Sequence, residues 1–310
     1  LLFSGNMAQL NITGIVPPLV TPLRGSTQLD REALYRIIEH LIQGGASGLF
    51  LLGSTGEWTS LPAKTQQHAV IYGVKGANGR LPVFVNVSDN SLVELRRKAD
   101  KAAHAGADCV VISPPSYFTM TQDELRKFLE VAIEGTPLPV LLYNAPQYTR
   151  TAIAPQTVKA LAGHESVLGI KDSSGDLSYL SNLTGIIPAR GFSVLVGSEV
   201  LLWESHQMGC QGGVCGGANL FPKLYSRFFQ SFAEGEPDQT IQIQSLIKRI
   251  QEEVYHNFNT PLSHIIGLKY LMEVRGLCRS QMAMPVYRQL YPAQKKSMAA
   301  LMEEFIALGY

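Results

Sequence analysis

Apolar positions along the chain fall into two patterns. Short runs of β-branched and aliphatic residues occur at 14–22 (GIVPPLVTP), 48–53 (GLFLLG), 82–88 (PVFVNVS), 109–113 (CVVIS), 139–144 (PVLLYN), 167–172 (VLGIKD), 192–197 (FSVLVG) and 212–217 (GGVCGG). Between them, apolar residues recur every three or four positions over 30–43, 62–76, 91–105, 121–134, 155–162, 176–187 and 199–208. The first pattern is that of strands buried on both faces, the second that of amphipathic helices. Several helical stretches open on a capping residue, such as Thr121 before QDEL and Asp89 or Asn90 before SLVEL. A strand followed by a helix, repeated, requires a parallel sheet.

Eight such units of near-equal length predict a closed α/β architecture, a (β/α)8 TIM barrel over residues 14–225, in preference to an open doubly wound sheet. After residue 225 the strand pattern stops. TIQIQSLIKRIQEEVYHNF and SMAALMEEFIALGY have helical periodicity, which predicts a C-terminal helical domain over 226–310 with no linker before it. Residues 1–13 form an N-terminal extension; Met7 reads as the natural start and 1–6 as residues added ahead of it.

Composition narrows the function. The chain is 45% hydrophobic and 16% charged, with a formal net charge of +1, so it offers no electrostatic case for nucleic acid or an anionic membrane. No apolar run reaches membrane-spanning length, and LLFSGN lacks the charged start and cleavage site of a secretory signal. Cys109, Cys210, Cys215 and Cys278 form no CxxC pair and read as buried free thiols, which fits a reducing cytoplasm. The histidines form neither HxH nor HExxH, so the commonest metal signatures are absent, and without GxGxxG or GxxxxGK(S/T) a dinucleotide or P-loop reading has no motif to rest on.

In a (β/α)8 barrel the chemistry lies at the C-terminal ends of the strands. There the chain places GSTGE (53–57), SPPSYF (113–118), YNAP (143–146), KDSSG (171–175), GSE (197–199) and GGVCGGAN (212–219). Lys171 ends an apolar strand. Burial disfavours a charged amine, and a neutral one can condense with a ketone to form a Schiff base. A lysine reaching to the rim, or one neutralised by Asp172, fits the spacing equally well. Tyr143 could shuttle protons beside an imine, or be a rim aromatic with a satisfied hydroxyl. Ser54 and Thr55 could hold a carboxylate, or cap the following helix. Glu57 reads as structural.

GSTGE, YNAP and GIKDSSGD, in this order and at these separations, resemble the class I pyruvate-dependent lyases. That group includes dihydrodipicolinate synthase, N-acetylneuraminate lyase, 2-keto-3-deoxygluconate aldolase, 4-hydroxy-2-oxoglutarate aldolase and sugar-acid dehydratases. The resemblance runs from about residue 14 to the C-terminus. It implies a barrel with a C-terminal helical domain, assembled as a homotetramer of tight dimers, and no metal or organic cofactor. By position, Lys171 resembles the Schiff-base lysine, Tyr143 the proton-relay tyrosine, and Ser54 and Thr55, beside Gly53, the carboxylate-binding pair. Tyr117 resembles the tyrosine that crosses the dimer interface. Val214 matches the wall under the pyruvyl group, and Gly197, Ser198 and Glu199 the contacts to the distal part of the substrate.

One position departs. Lysine-pathway synthases carry an arginine shortly after YN, where this chain has Tyr148, with Arg150 two residues on. A phenol cannot replace a bidentate guanidinium. The expected function is therefore a carbon–carbon lyase acting on pyruvate and an aldehyde, of the 4-hydroxy-2-oxoglutarate or 2-keto-3-deoxy sugar-acid type. Dihydrodipicolinate synthase, or a dehydratase sharing the imine, is the alternative. A relative that has lost turnover and a phosphate-binding barrel are the rivals from other classes. The second leaves Lys171 and Tyr143 unexplained.

Overall fold

The structure is a computed structural model that describes residues 10, 12–187, 191–257, 260–283 and 290–310. Residues 1–6 and Met7, read above as added residues and natural start, lie outside the described residues, as does Phe258 at the end of the TIQIQ segment.

Eight parallel strands form one sheet. In chain order they are β1 Gly14–Ile15, β2 Leu49–Leu51, β3 Val83–Asn86, β4 Cys109–Ile112, β5 Val140–Asn144, β6 Val167–Asp172, β7 Ser193–Val196 and β8 Gly212–Gly213. Each pairs with its sequence neighbour from β2 to β8, and β8 pairs with β1. The ring closes between β1 and β2: Phe50 N donates to Pro17 O at 3.0 Å and Leu19 N to Phe50 O at 2.9 Å. The (β/α)8 TIM barrel is therefore complete, as the alternation predicts.

Two strands are much shorter than their apolar runs. In 14–22, Pro17 and Pro18 bring no N–H to a ladder, so regular pairing stops at Ile15 and resumes as a single bridge from Pro18 to Phe50. In 212–217 the strand ends at Gly213, and Gly216–Asn219 turns as a short 3-10 helix.

The helices between strands are α1 Arg31–Gln43, α2 Ala63–Ala77, α3 Leu92–Ala105, α4 Gln122–Glu134, α5 Pro146–Thr149, α6 Pro155–Leu161, α7 Leu177–Ile186 and α8 Leu202–Gln207, and α9 Pro222–Ala233 follows β8. Thr121 caps α4 in a full capping box with Glu124. The cap of α3 is Ser91 rather than Asp89 or Asn90. Those two carboxyl and amide groups are used elsewhere, Asp89 on Lys98 and Asn90 on the Ser116 N–H.

Residues of β2 to β8 alternate between two cores. One side chain set, Phe50, Phe84, Cys109, Val111, Leu141, Tyr143 and Leu195, fills the barrel interior together with Val16 and Val214, which follow β1 and β8. The other packs outward against the helices. After α9 come α10 Pro237–Ile250, a π-helical turn Gln251–Tyr255, α11 Ser263–Val274 and α12 Pro292–Ala307. Among the described residues no helix is long and apolar enough to cross a membrane.

Candidate active site

Strand pairing decides where Lys171 points. On β6 it is registered with Tyr143 on β5 and Leu195 on β7, both interior residues. Its side chain therefore enters the barrel, and the residue is only 4% exposed. Its Nζ lies 4.1 Å from the centroid of the Tyr143 ring and 4.9 Å from that of Phe50. Two aromatic faces against one amine are favourable to a cation.

The two bland readings of Lys171 do not hold. It does not reach to the rim, and Asp172 does not neutralise it. Strand alternation sends Asp172 to the opposite face, where its carboxylate accepts from Asn144 Nδ2 at 2.7 Å and Ser174 Oγ at 2.8 Å. Burial raises the Asp172 pKa despite these bonds.

Tyr143 is also buried, which by itself would raise its pKa. The Lys171 charge, with hydrogen bonds from Ser54, Ser173 and Lys171, outweighs burial and leaves the phenol below its ordinary value. Its hydroxyl is 3.3 Å from Ser54 Oγ. The phenol is thus easier to deprotonate than a free tyrosine and is linked to a neighbouring hydroxyl.

Ser54 and Thr55 are carried by a tight turn after β2. Gly56 N donates to Gly53 O and Glu57 N to Ser54 O, each at 3.0 Å. Left-handed residues flank the turn, Leu52 at φ 59° and Glu57 at φ 58°. For side chains of this size that conformation costs about 1–2 kcal/mol each. The surroundings impose it: Asn86 Nδ2 donates to Leu52 O at 3.0 Å, and Lys269 of α11 donates to the Glu57 carboxylate, which also accepts from Ala283 N at 2.8 Å. Glu57 is therefore structural, as its position suggests, but its partners come from the C-terminal helices.

These groups meet in one cavity of about 670 Å³ at the C-terminal ends of the strands. Ser54, Thr55, Tyr143, Tyr148, Lys171, Gly197, Ser198, Glu199 and Val214 all line it. Gly53 does not; a Cβ there would stand 3.1 Å from the Phe50 ring, so it shapes the turn against the aromatic beneath Lys171. At Gly197 a Cβ would meet Ser173 Oγ at 2.1 Å, so only glycine lets Ser173 lie beside Tyr143. Glu199 borders the cavity with its carboxylate turned inward. It accepts from Tyr225, from Tyr255 at 2.8 Å and from Gly217 N at 3.1 Å, and burial pushes its pKa up.

Tyr148 is 46% exposed on α5, and burial and then Tyr143 raise its pKa. Arg150 ends α5 in a left-handed conformation, is exposed and does not line the cavity. Tyr117 is 72% exposed, stands edge-on to Phe118 at 4.8 Å and lies outside the cavity of its own chain.

Two sets of lining residues escape the sequence reading. Ser173 was accessible to it, because the period of two puts it on the face of Lys171. The other set is the C-terminal wall, with Gln251, Tyr255, His256, Thr260 and His264. A π-turn has no hydropathy signature, so nothing in the chain marked that wall. Among the described residues no group of three or more His, Cys, Asp or Glu could hold a metal ion. What the cavity offers is an amine between aromatic faces, an acidified phenol and a pair of hydroxyls within one small space. Such a set suits covalent capture of a carbonyl with proton transfer beside it.

The family described as the Dihydrodipicolinate synthetase family matches residues 11–304. The structure of dihydrodipicolinate synthase from Bacteroides thetaiotaomicron superposes with a TM-score of 0.90 at 38% identity, covering 94% of this chain and 98% of that one. YagE of Escherichia coli K12, a prophage protein solved in complex with pyruvate, gives a TM-score of 0.88 at 25% identity, over 95% of this chain and 99% of its own. The 4-hydroxy-tetrahydrodipicolinate synthase of Pelobacter propionicus is 27% identical over 292 residues, 94% of this chain and 98% of that protein. The chain belongs to the dihydrodipicolinate synthetase family and is an enzyme of its kind, a class I lyase acting through a lysine Schiff base.

Proposed function

We propose that the protein cleaves or forms a 2-oxo acid with pyruvate as one partner, in the manner of a 4-hydroxy-2-oxoglutarate or 2-keto-3-deoxy sugar-acid aldolase. The observation that carries this is the Lys171 Nζ held 4.1 Å from the Tyr143 ring in a cavity shared with Ser54 and Thr55. Ser54, Thr55 and the turn shaped by Gly53 hold the carboxylate, and Val214 underlies the pyruvyl carbons. The Lys171 amine attacks C2 and water leaves, giving a protonated imine. Tyr143 takes the C4 hydroxyl proton as the C3–C4 bond breaks and the aldehyde departs. The electron pair of the C3–C4 bond passes to the imine, giving an enamine that is protonated at C3 and hydrolysed to pyruvate and free Lys171.

Gly197, Ser198, Tyr148 and the outer face of Glu199 adjoin the aldehyde half. The same reading extends to a homotetramer, a dimer of dimers in which the exposed Tyr117 joins the relay of a neighbouring copy. A cytoplasmic setting suits four buried free thiols.

Dihydrodipicolinate synthase is the second reading, favoured by the names of the relatives. It requires a cation for the carboxylate of its aldehyde, and no arginine is among the described residues lining the cavity. A dehydratase would use the same imine, lose a proton from C3 to give the enamine and expel the C4 hydroxyl as water. Borohydride trapping with pyruvate, followed by peptide mass mapping, tests the shared chemistry: the adduct is expected on Lys171. Bound pyruvate with no adduct there rejects the mechanism. Turnover of 2-keto-3-deoxygluconate, 4-hydroxy-2-oxoglutarate and pyruvate plus aspartate semialdehyde then separates the readings.

A further inference from the structure

The C-terminal wall of the cavity is the part that the catalytic reading leaves without a task. One of its polar side chains is the half-buried His264, in the first turn of α11. With Ser54, Tyr143 and Tyr148, it lines both the Lys171 cavity and an adjoining one of about 630 Å³. It therefore stands beside the relay phenol, on the route by which the distal part of a substrate would leave the imine.

Three features fix its position and chemistry. One ring N–H donates to the Pro261 carbonyl, so the neutral ring keeps its other nitrogen as an acceptor. Burial, with the nearby charge of Lys171, lowers its pKa to about 4, which keeps the ring neutral at physiological pH. The ring stands edge-on to Tyr255, 6.1 Å between centroids, and the Tyr255 hydroxyl is held by Glu199 at 2.8 Å. Further along α11, Lys269 ties the helix to Glu57, which ends the turn carrying Ser54 and Thr55. The acceptor is thus placed by the same framework that places the hydroxyl pair, as preorganised recognition requires.

Charge sets the class of ligand. Lys171 is the sole lysine or arginine among the described residues lining the cavity, and the imine consumes it. In the adjoining cavity Lys98 is already held by Asp89 at 2.8 Å, so no unpaired lysine or arginine among the described lining residues meets a second carboxylate, whereas an acceptor nitrogen suits a hydroxyl. We propose that His264 is a specificity-determining residue that accepts a hydrogen bond from a hydroxyl of the aldehyde half, selecting neutral hydroxylated aldehydes over anionic ones. The inference rests on Lys171 forming the imine with the 2-oxo acid half.

The test separates the two halves of the substrate. His264→Phe keeps a ring and removes the acceptor, and His264→Asn restores an acceptor. Each is measured for borohydride-trapped pyruvate on Lys171 and for kcat and KM with 2-keto-3-deoxygluconate and 4-hydroxy-2-oxoglutarate. The expected result is trapping equal to the wild type in both variants. For His264→Phe, kcat/KM on 2-keto-3-deoxygluconate is expected to fall about 10- to 100-fold, with much of the loss recovered in His264→Asn. Turnover of His264→Phe within twofold of the wild type overturns the proposal, as does an equal loss of trapping and turnover. A wild-type enzyme that cleaves only substrates with a carboxylate on the aldehyde half also overturns it. A wild-type enzyme that traps no pyruvate on Lys171 refutes the catalytic reading and this inference with it. If His264→Phe fails to fold, His264→Ala takes its place with the same outcomes.

Discussion

A single strand alternation separates the two ionisable neighbours Lys171 and Asp172, and their different surroundings follow from it. The amine is held by ring faces inside the barrel, the carboxylate by Asn144 and Ser174 outside it. Lys171→Ala is expected to abolish both pyruvate trapping and turnover. Its melting temperature should equal or exceed that of the wild type, because a buried amine without a carboxylate partner is costly to the fold. Tyr143→Phe should still form the adduct, since the phenol is not the nucleophile, while kcat falls about 10²- to 10⁴-fold. Single-turnover trapping beside steady-state assays checks both. That Lys171, Tyr143, Ser54 and Thr55 meet in one cavity was legible, because each lies at or just after the C-terminal end of an apolar strand run and those ends share one face of the barrel. His264 was not, because its neighbours in space are remote in the chain and its own helix reads as ordinary core.

Among the elements, α11 and the turn after β2 depend on each other. Lys269 and Glu57 form an ion pair with side chains 0% and 2% exposed. Removing one partner leaves the other charge buried and alone, so Lys269→Met should cost about 3–5 kcal/mol in a denaturant titration. The double variant Lys269→Met with Glu57→Gln should recover a substantial part of that loss, since neither charge then remains. The elements themselves were readable to differing degrees. The long amphipathic helices follow from periodicity alone. The strands β1 and β8 are shorter than their apolar runs, because proline removes donors in one and a glycine-rich turn takes over in the other. The short helix α5 and the π-turn carry no periodic signal that could have announced them.

Across the whole molecule, folding takes several histidines out of water. His40 and His206 are each lowered to about 4 by burial, as is His264, and His206 lies among Phe228, Phe229 and Phe232. The unfolded chain takes up these protons near pH 6.5 and the folded one only near 4. Stability from these groups is therefore complete above about pH 6.5 and is lost progressively as pH falls toward 4. Melting temperature should decline over that window, and His206→Leu should make the decline shallower.

The tie between Glu57 and Lys269 bears on how the protein can be cut and recombined. A chain ended after α9 would retain Glu57 without Lys269 and the Ala283 N–H, an acidic group stranded in the wall of the ring, while Glu199 would lose Tyr255 and keep Tyr225 and Gly217 N. The barrel and the helices that follow it are thus not interchangeable parts. Grafting the C-terminal segment of a relative onto this ring should succeed only where the donor brings both the lysine and the phenol, and soluble yield of the chimaeras would report it.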